Sequence, residues 1–225
     1  MADQKIERVI VGGDGATLDH LRDADFAAIT GIRGIASTGR NGVSVAGMDG
    51  TAITQVYGVA VAGPKGRAQG GAGCMVFAYD GGSASGGDGA VAWARRGGPA
   101  STGAAGVAVA LDGDAAGGPA SLATAMRQTK VGVQAKAGPG GVAVVRNHTK
   151  LNPHSGPALA IADGGAVGIA FDGNRVSGAM GALLVASYAA IEGTRFAVGV
   201  VDGVTLMPGQ AYCAAPDGTL VAIRD

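Results

Sequence analysis

Aromatic side chains make up only 4% of the 225 residues, so a core of large interlocking rings is excluded. Charge is scarce as well: 15% of residues, with 17 basic and 17 acidic side chains and a formal net charge of zero. That balance leaves no basic footprint for nucleic acid, and it argues against an acidic mimic of DNA. Cysteine is limited to Cys74 and Cys213. Without metal-ligand spacing they read as core thiols in a reducing compartment, with a single disulfide left open. No apolar run approaches the length of a membrane span. The opening MADQKIERV lacks the apolar stretch of a signal peptide. The expectation is a soluble, cytoplasmic protein with neither membrane nor nucleic acid as partner.

Glycine is what the chain has instead. With 43 Gly and 8 Pro it approaches the composition of low-complexity segments. Disordered chains, however, combine low hydrophobicity with high charge, and here 47% of residues are hydrophobic. An apolar chain of small residues must pack backbone closely on backbone.

The glycines are periodic. From Gly31 to Ala110 the sequence divides into ten octads, such as GRNGVSVA (39–46), QVYGVAVA (55–62) and GDGAVAWA (87–94). The fourth place is Gly in eight of the ten, Cys74 and Ala90 being the exceptions; the sixth is Ala in eight, Ser44 and Val76 being the exceptions. Places five and seven alternate between octads. One set is mostly polar, including Arg67/Gln69, Ser83/Ser85 and Pro99/Ser101. The other is apolar: Val43/Val45, Val59/Val61, Met75/Phe77, Val91/Trp93 and Val107/Val109. The full repeat is therefore 16 residues, two short strands joined by Gly-rich turns, with coils stacking at about 4.8 Å.

Side chains alternate across a strand. Placing five and seven inside would bury Arg67, which is costly. Gly and Ala are thus expected inside, and the apolar pairs outside. The frame breaks near LDGDAAGG (111–118) and at RNHTKLNPHS (146–155). It resumes in KVGVQAKA (130–137), GPGGVAVV (138–145) and SGPALAIA (155–162), and FDGNRVSGAMGALLVASYA (171–189) parallels GPKGRAQGGAGCMVFAYD (63–80).

The expected fold is all-β, a two-sided parallel β-solenoid of about 16 residues per coil over residues 31–190, interrupted near 111–129 and 146–155. Residues 1–30 are expected to form a helical or irregular N-terminal cap, because TLDHLRDADFAAI (17–29) sets Leu18, Leu21 and Phe26 on one side of a helix. Residues 191–225 read as an antiparallel C-terminal β-meander cap, with TRFAVGVV, QAYCAA and TLVAIR separated by turn signals.

In these octads, and in GPKGRAQGGAGCMVF (63–77) and VDGVTLMPGQAYCAAPDGTLVAI (201–223), the chain resembles the Gly/Ala-rich octad-repeat β-solenoid proteins of bacteria and phages, a family of largely unknown function. The resemblance implies the solenoid fold and brings no catalytic residues. In those relatives the Gly-Cys segment tends to close the solenoid, whereas here further coils follow Tyr79.

Motifs of other chemistries fail on spacing. Nine Asp-Gly pairs occur, but on a period of eight and with drifting Asp, unlike the nonapeptides of calcium β-rolls. Asp-Gly turn chemistry accounts for them. GPKGRAQG matches neither phosphate-loop nor dinucleotide fingerprint. Acidic residues within the coils are too sparse for a glycosidase pair. Thr38, Thr51, Thr54 and Thr102 are too scattered for ice binding.

The remaining feature is the outer stripe. The expected function is a non-catalytic interaction or structural protein without cofactor. It self-associates, or binds a protein partner, through Val59, Val61, Met75, Phe77, Val91, Trp93, Val107 and Val109. One alternative is an immunity-like protein that neutralises a toxin by surface complementarity. Another is an enzyme or ligand site at the 146–155 loop. No metal is expected; His148 and His154 in that loop are the residues that would hold one.

Overall fold

The structure, a computed structural model, describes residues 8–128, 132–147, 157–190 and 193–223. Strands alternate along the chain between two sheets of twelve. Sheet 1 runs from Arg8–Val11 to Gly193–Val200, and sheet 2 from Thr17–His20 to Leu220–Ala222. Each coil gives one strand to each sheet, and successive coils pair in parallel. Val43 stands beside Val59, then Met75, Val91 and Val107, steps of sixteen residues. Backbone hydrogen bonds also link successive turns: Val59 donates to the Gly42 carbonyl (2.9 Å), Met75 to Gly58 (3.0 Å) and Val91 to Cys74 (2.8 Å). A chain without large side chains can fold this way because its peptide groups are satisfied coil by coil.

The interior is alanine. Ala60, Ala68, Ala92, Ala108, Ala123 and Ala143 are fully buried, while Arg67 between the two sets points outward and is exposed. The breaks in the octad frame are changes of turn length, not of sheet register. Val107 pairs with Leu122, a step of fifteen; Leu122 with Val142, a step of twenty; Val142 with Val167, a step of twenty-five. From Leu159 to Arg175 the step is sixteen again.

A helical N-terminal cap is not what residues 17–29 form. They hold strands Thr17–His20 and Phe26–Ile29, and a further strand, Arg8–Val11, precedes them. Leu18 and Phe26 point into the lumen from the two sheets, and Leu21 lies in the turn between, so their helix-like spacing is a coincidence of strand plus turn. The N-terminal end is filled with larger side chains instead: Ile10 and Leu18 pack against Phe26, Ala28 and Ala36. The C-terminal end is antiparallel, as expected. Leu183–Ala190 pairs with Gly193–Val200, and Tyr212–Ala214 with both Arg175–Gly178 and Leu220–Ala222. Leu184, Val201, Leu206 and Tyr212 join the core there. Cys74 is buried, Cys213 is half-buried, and both are free thiols.

The octad glycine has a steric cause. At each corner, residues four apart meet across the narrow lumen. A Cβ on Gly66 would lie 2.7 Å from the Gly50 carbonyl and 3.0 Å from the Ala62 Cβ. The two exceptions to the rule are reciprocal. Where place four is Ala90 or Cys74, the residue four earlier is Gly86 or Gly70. A Cβ there would lie 2.5 Å from that of Ala90 or 2.6 Å from that of Cys74. At these two corners only one member of the pair carries a side chain, whereas later in the chain Ala162 and Ala166 both do.

Place three of the octad is left-handed. It is Gly in several coils, but Arg33, Asn41, Asp49, Tyr57, Lys65 and Ala105 also hold φ between 54° and 57°. A left-handed L-residue costs about 1–2 kcal/mol, and Ala105 has no side-chain hydrogen bond to offset it. Ala105→Gly should raise unfolding stability by about 0.5–1 kcal/mol after the entropic cost of glycine. Denaturant titration checks this.

Candidate interaction surface

Every outward residue of the expected stripe lies on the outer face of sheet 1. Val59 and Val61 sit beside Met75 and Phe77, these beside Val91 and Trp93, and these beside Val107 and Val109. Val76, Ala92 and Ala108 between them point inward and are buried. Met75 is 47% exposed and Val91 37%; the others are half-buried by their own neighbours. Trp93 is the centre of an aromatic group. Phe77 meets it edge-on at 6.3 Å and Tyr79 at 6.1 Å. Such contacts fix ring orientation, adding about 0.5–1.5 kcal/mol to burial.

The apolar face is longer than the octads suggested. It begins with Val9/Val11 and Ala27/Ile29, and continues through Leu122/Thr124, Val142/Val144, Val167/Ile169 and Leu183/Val185. It ends on Phe196, Val198 and Val200 of the antiparallel strand. None of the named positions carries a charge, and Thr124 is the single polar one among them. All of them except Ala27 keep exposure to solvent, so no described segment of the chain covers the face. The column of Phe196, one step further along the strands, also holds Met126, the exposed Arg146 and Ser187. The signal for the added rows was the alternation of LATAM (122–126), VAVV (142–145) and VGIA (167–170), masked by unequal spacing.

Sheet 2 is mixed but mostly polar on its outer face, with Ile35, Ile53, Leu159 and Ile161 among the polar positions. Its outward positions include Arg67/Gln69, Ser83/Ser85, Gln134/Lys136 and Arg175/Ser177. Ser101 Oγ donates to Ser85 Oγ at 3.2 Å, bridging two coils. Along one turn column charge alternates in sign from Arg33 to Asp49, Lys65, Asp80 and Arg96. Arg96 Nη1 reaches Asp80 Oδ2 at 3.2 Å, in an exposed pair of small energetic weight.

No family model, curated protein or solved structure matches the chain. The resemblance to octad-repeat solenoids therefore stands at the level of fold: two parallel sheets wound at about sixteen residues per coil.

Of the 146–155 segment, Arg146 and Asn147 are among the described residues, at the end of the strand Val142–Asn147. His148 and His154 lie outside the described residues. Its stems are held together by Asn174, which is buried. Asn174 Nδ2 donates to Asn147 Oδ1 (3.1 Å) and to the Phe171 carbonyl (2.7 Å), and Asn174 Oδ1 accepts from the Ala158 amide (2.9 Å). Among the described residues, no three His, Cys, Asp or Glu side chains are grouped to hold a metal ion.

In the C-terminal cap a single carboxylate oxygen is met by three backbone amides. Asp202 Oδ1 accepts from the amides of Val204 (2.9 Å), Thr205 (2.7 Å) and Leu206 (3.1 Å). These backbone donors, Val204 first, then Leu206 and Thr205, hold its pKa down from 3.8 to about 2. A carboxyl depressed on folding stabilises the folded state above its unfolded pKa, and that contribution is lost as pH falls through the folded value. The turn should therefore keep its order above pH 3.8 and loosen between that pH and about 2. Amide exchange at Val204, Thr205 and Leu206, corrected for intrinsic rates, should lose protection over that window. Asp202→Ala should remove the step.

Proposed function

We propose that the protein is a non-catalytic assembly module that pairs through the outer face of sheet 1 with a second copy of itself. The observation that carries this reading is the pair of apolar columns that runs across the twelve strands of the sheet, with charge entering at its edge, at Arg146. Twelve strands at about 4.8 Å and four residues at about 3.3 Å give a face of roughly 700 Å². A monomer ordinarily exposes patches of only about 300–600 Å². Two such faces in contact bury roughly 1,400 Å², within the range of about 1,200–2,000 Å² for stable, specific complexes. A second copy is favoured as occupant because the middle of the face is apolar and two such faces supply the area that a stable dimer needs. Its two central columns carry no charge to select a different partner, and a sheet of this kind packs on another at about 10 Å. Symmetric closure of the pair leaves the mostly polar sheet 2 outward on both sides.

Sedimentation equilibrium over a wide concentration range tests the reading. The expected result is twice the chain mass at micromolar concentration, dissociating on dilution. A monomer mass throughout would overturn it.

A further inference from the structure

We infer that the two copies pair with their coil stacks running in opposite directions, about a two-fold axis parallel to the strands and close to Trp93. The inference rests on the self-association proposed above and deepens it. The relief of the face is uneven. Met75–Ala78 and Val91–Ala94 are the fifth and sixth of the twelve strands of sheet 1, and they carry Phe77 and Trp93. Tyr79 buttresses Trp93 from the adjoining turn. The seventh and eighth strands present Val107/Val109 and Leu122/Thr124, which are smaller. The face thus has a ridge on one side of its midpoint and a lower surface on the other.

Interfaces need the close packing of interiors, and a ridge against a ridge holds the flanking rows apart. With stacks in the same direction the strands of the two copies run oppositely, so Trp93 would lie over Val91 of the second copy and Phe77 over Met75; the two ridges would coincide row on row, while the low row of Ala27 would fall on its own counterpart. With stacks reversed and fully overlapped, the first strand faces the twelfth, the second the eleventh, and so on. Trp93 then falls on Val107/Val109 of the second copy, Phe77 on Leu122/Thr124, and Ala27 opposite Leu183. Large meets small at each of these places. The aromatic group also lies at the centre of the contact, where the residues dominating binding energy concentrate.

Spin labels separate the two orientations. Arg96→Cys and Met180→Cys, each made with Cys213→Ser, place a label on an exposed turn near the sixth and eleventh strands. Reversed stacks offset the two Arg96 sites along the stack by one strand spacing, about 5 Å, and the two Met180 sites by nine, about 43 Å. Pulsed dipolar spectroscopy should then give a short distance for the first variant and one above roughly 40 Å for the second. Similar short distances for both would overturn the orientation while leaving self-association intact. Monomer mass with no intermolecular coupling in either variant would overturn both.

Discussion

Phe77→Thr combined with Trp93→Thr should give a monomer at micromolar concentration, where pairing through sheet 1 predicts a dimer for the unaltered chain, while leaving the solenoid folded. Threonine retains the strand preference of the positions it replaces. Both side chains point outward, so the alanine interior is untouched. Truncating a central aromatic in an interface costs about 2 kcal/mol or more. Two such losses correspond to roughly a thousand-fold weaker dissociation constant. The control is Arg67→Thr on the outer face of sheet 2, which should leave the mass unchanged. Far-ultraviolet circular dichroism should be the same for all three proteins.

The second large effect concerns folding. Gly86→Ala places a methyl 2.5 Å from the Ala90 Cβ, in a corner where both are tied to neighbouring coils. Overpacking of this kind costs about 1–3 kcal/mol. Adding Ala90→Gly removes the obstruction, and the next nearest atom to the new methyl is Val76 Cγ2 at 3.7 Å, ordinary contact. The double variant should therefore recover most of the stability that the single variant loses. The chain would have moved its glycine from place eight to place four, the arrangement that most coils already use. Urea unfolding of the single and double variants decides it. If both lose the same amount, the corner rule is wrong, and glycine at place four has some other cause.

That corner rule shows what can be read from the sequence and what cannot. The sixteen-residue coil, the inward Gly and Ala, and the outward Arg67 follow from an unbroken frame and the cost of burying charge. Cys74 and Ala90 look like defects in that frame until the structure pairs them with Gly70 and Gly86. The contact spans a turn, so no single octad contains both partners. The N-terminal error has a similar origin. Leu18, Leu21 and Phe26 fit a helical spacing, but a four-residue strand, a turn and another strand produce the same spacing. What decides between them is hydrogen bonding to the next coil, which a local pattern does not encode. The stripe was underestimated because unequal turns shift Leu122, Val142 and Val167 out of the octad count, while the ladder keeps them in line. His148 and His154 could be singled out from the sequence, but they lie outside the described residues.

Trp93 is the sole tryptophan of the chain, and it stands at the centre of the proposed contact. Its fluorescence therefore reports on that face directly. On dilution from micromolar to nanomolar concentration, pairing through sheet 1 predicts an emission shift to longer wavelength and a rise in acrylamide quenching, both following the loss of dimer mass. Trp93 emission and quenching that stay constant and solvent-accessible at every concentration, above all while the mass is that of a dimer, would contradict an interface on this face.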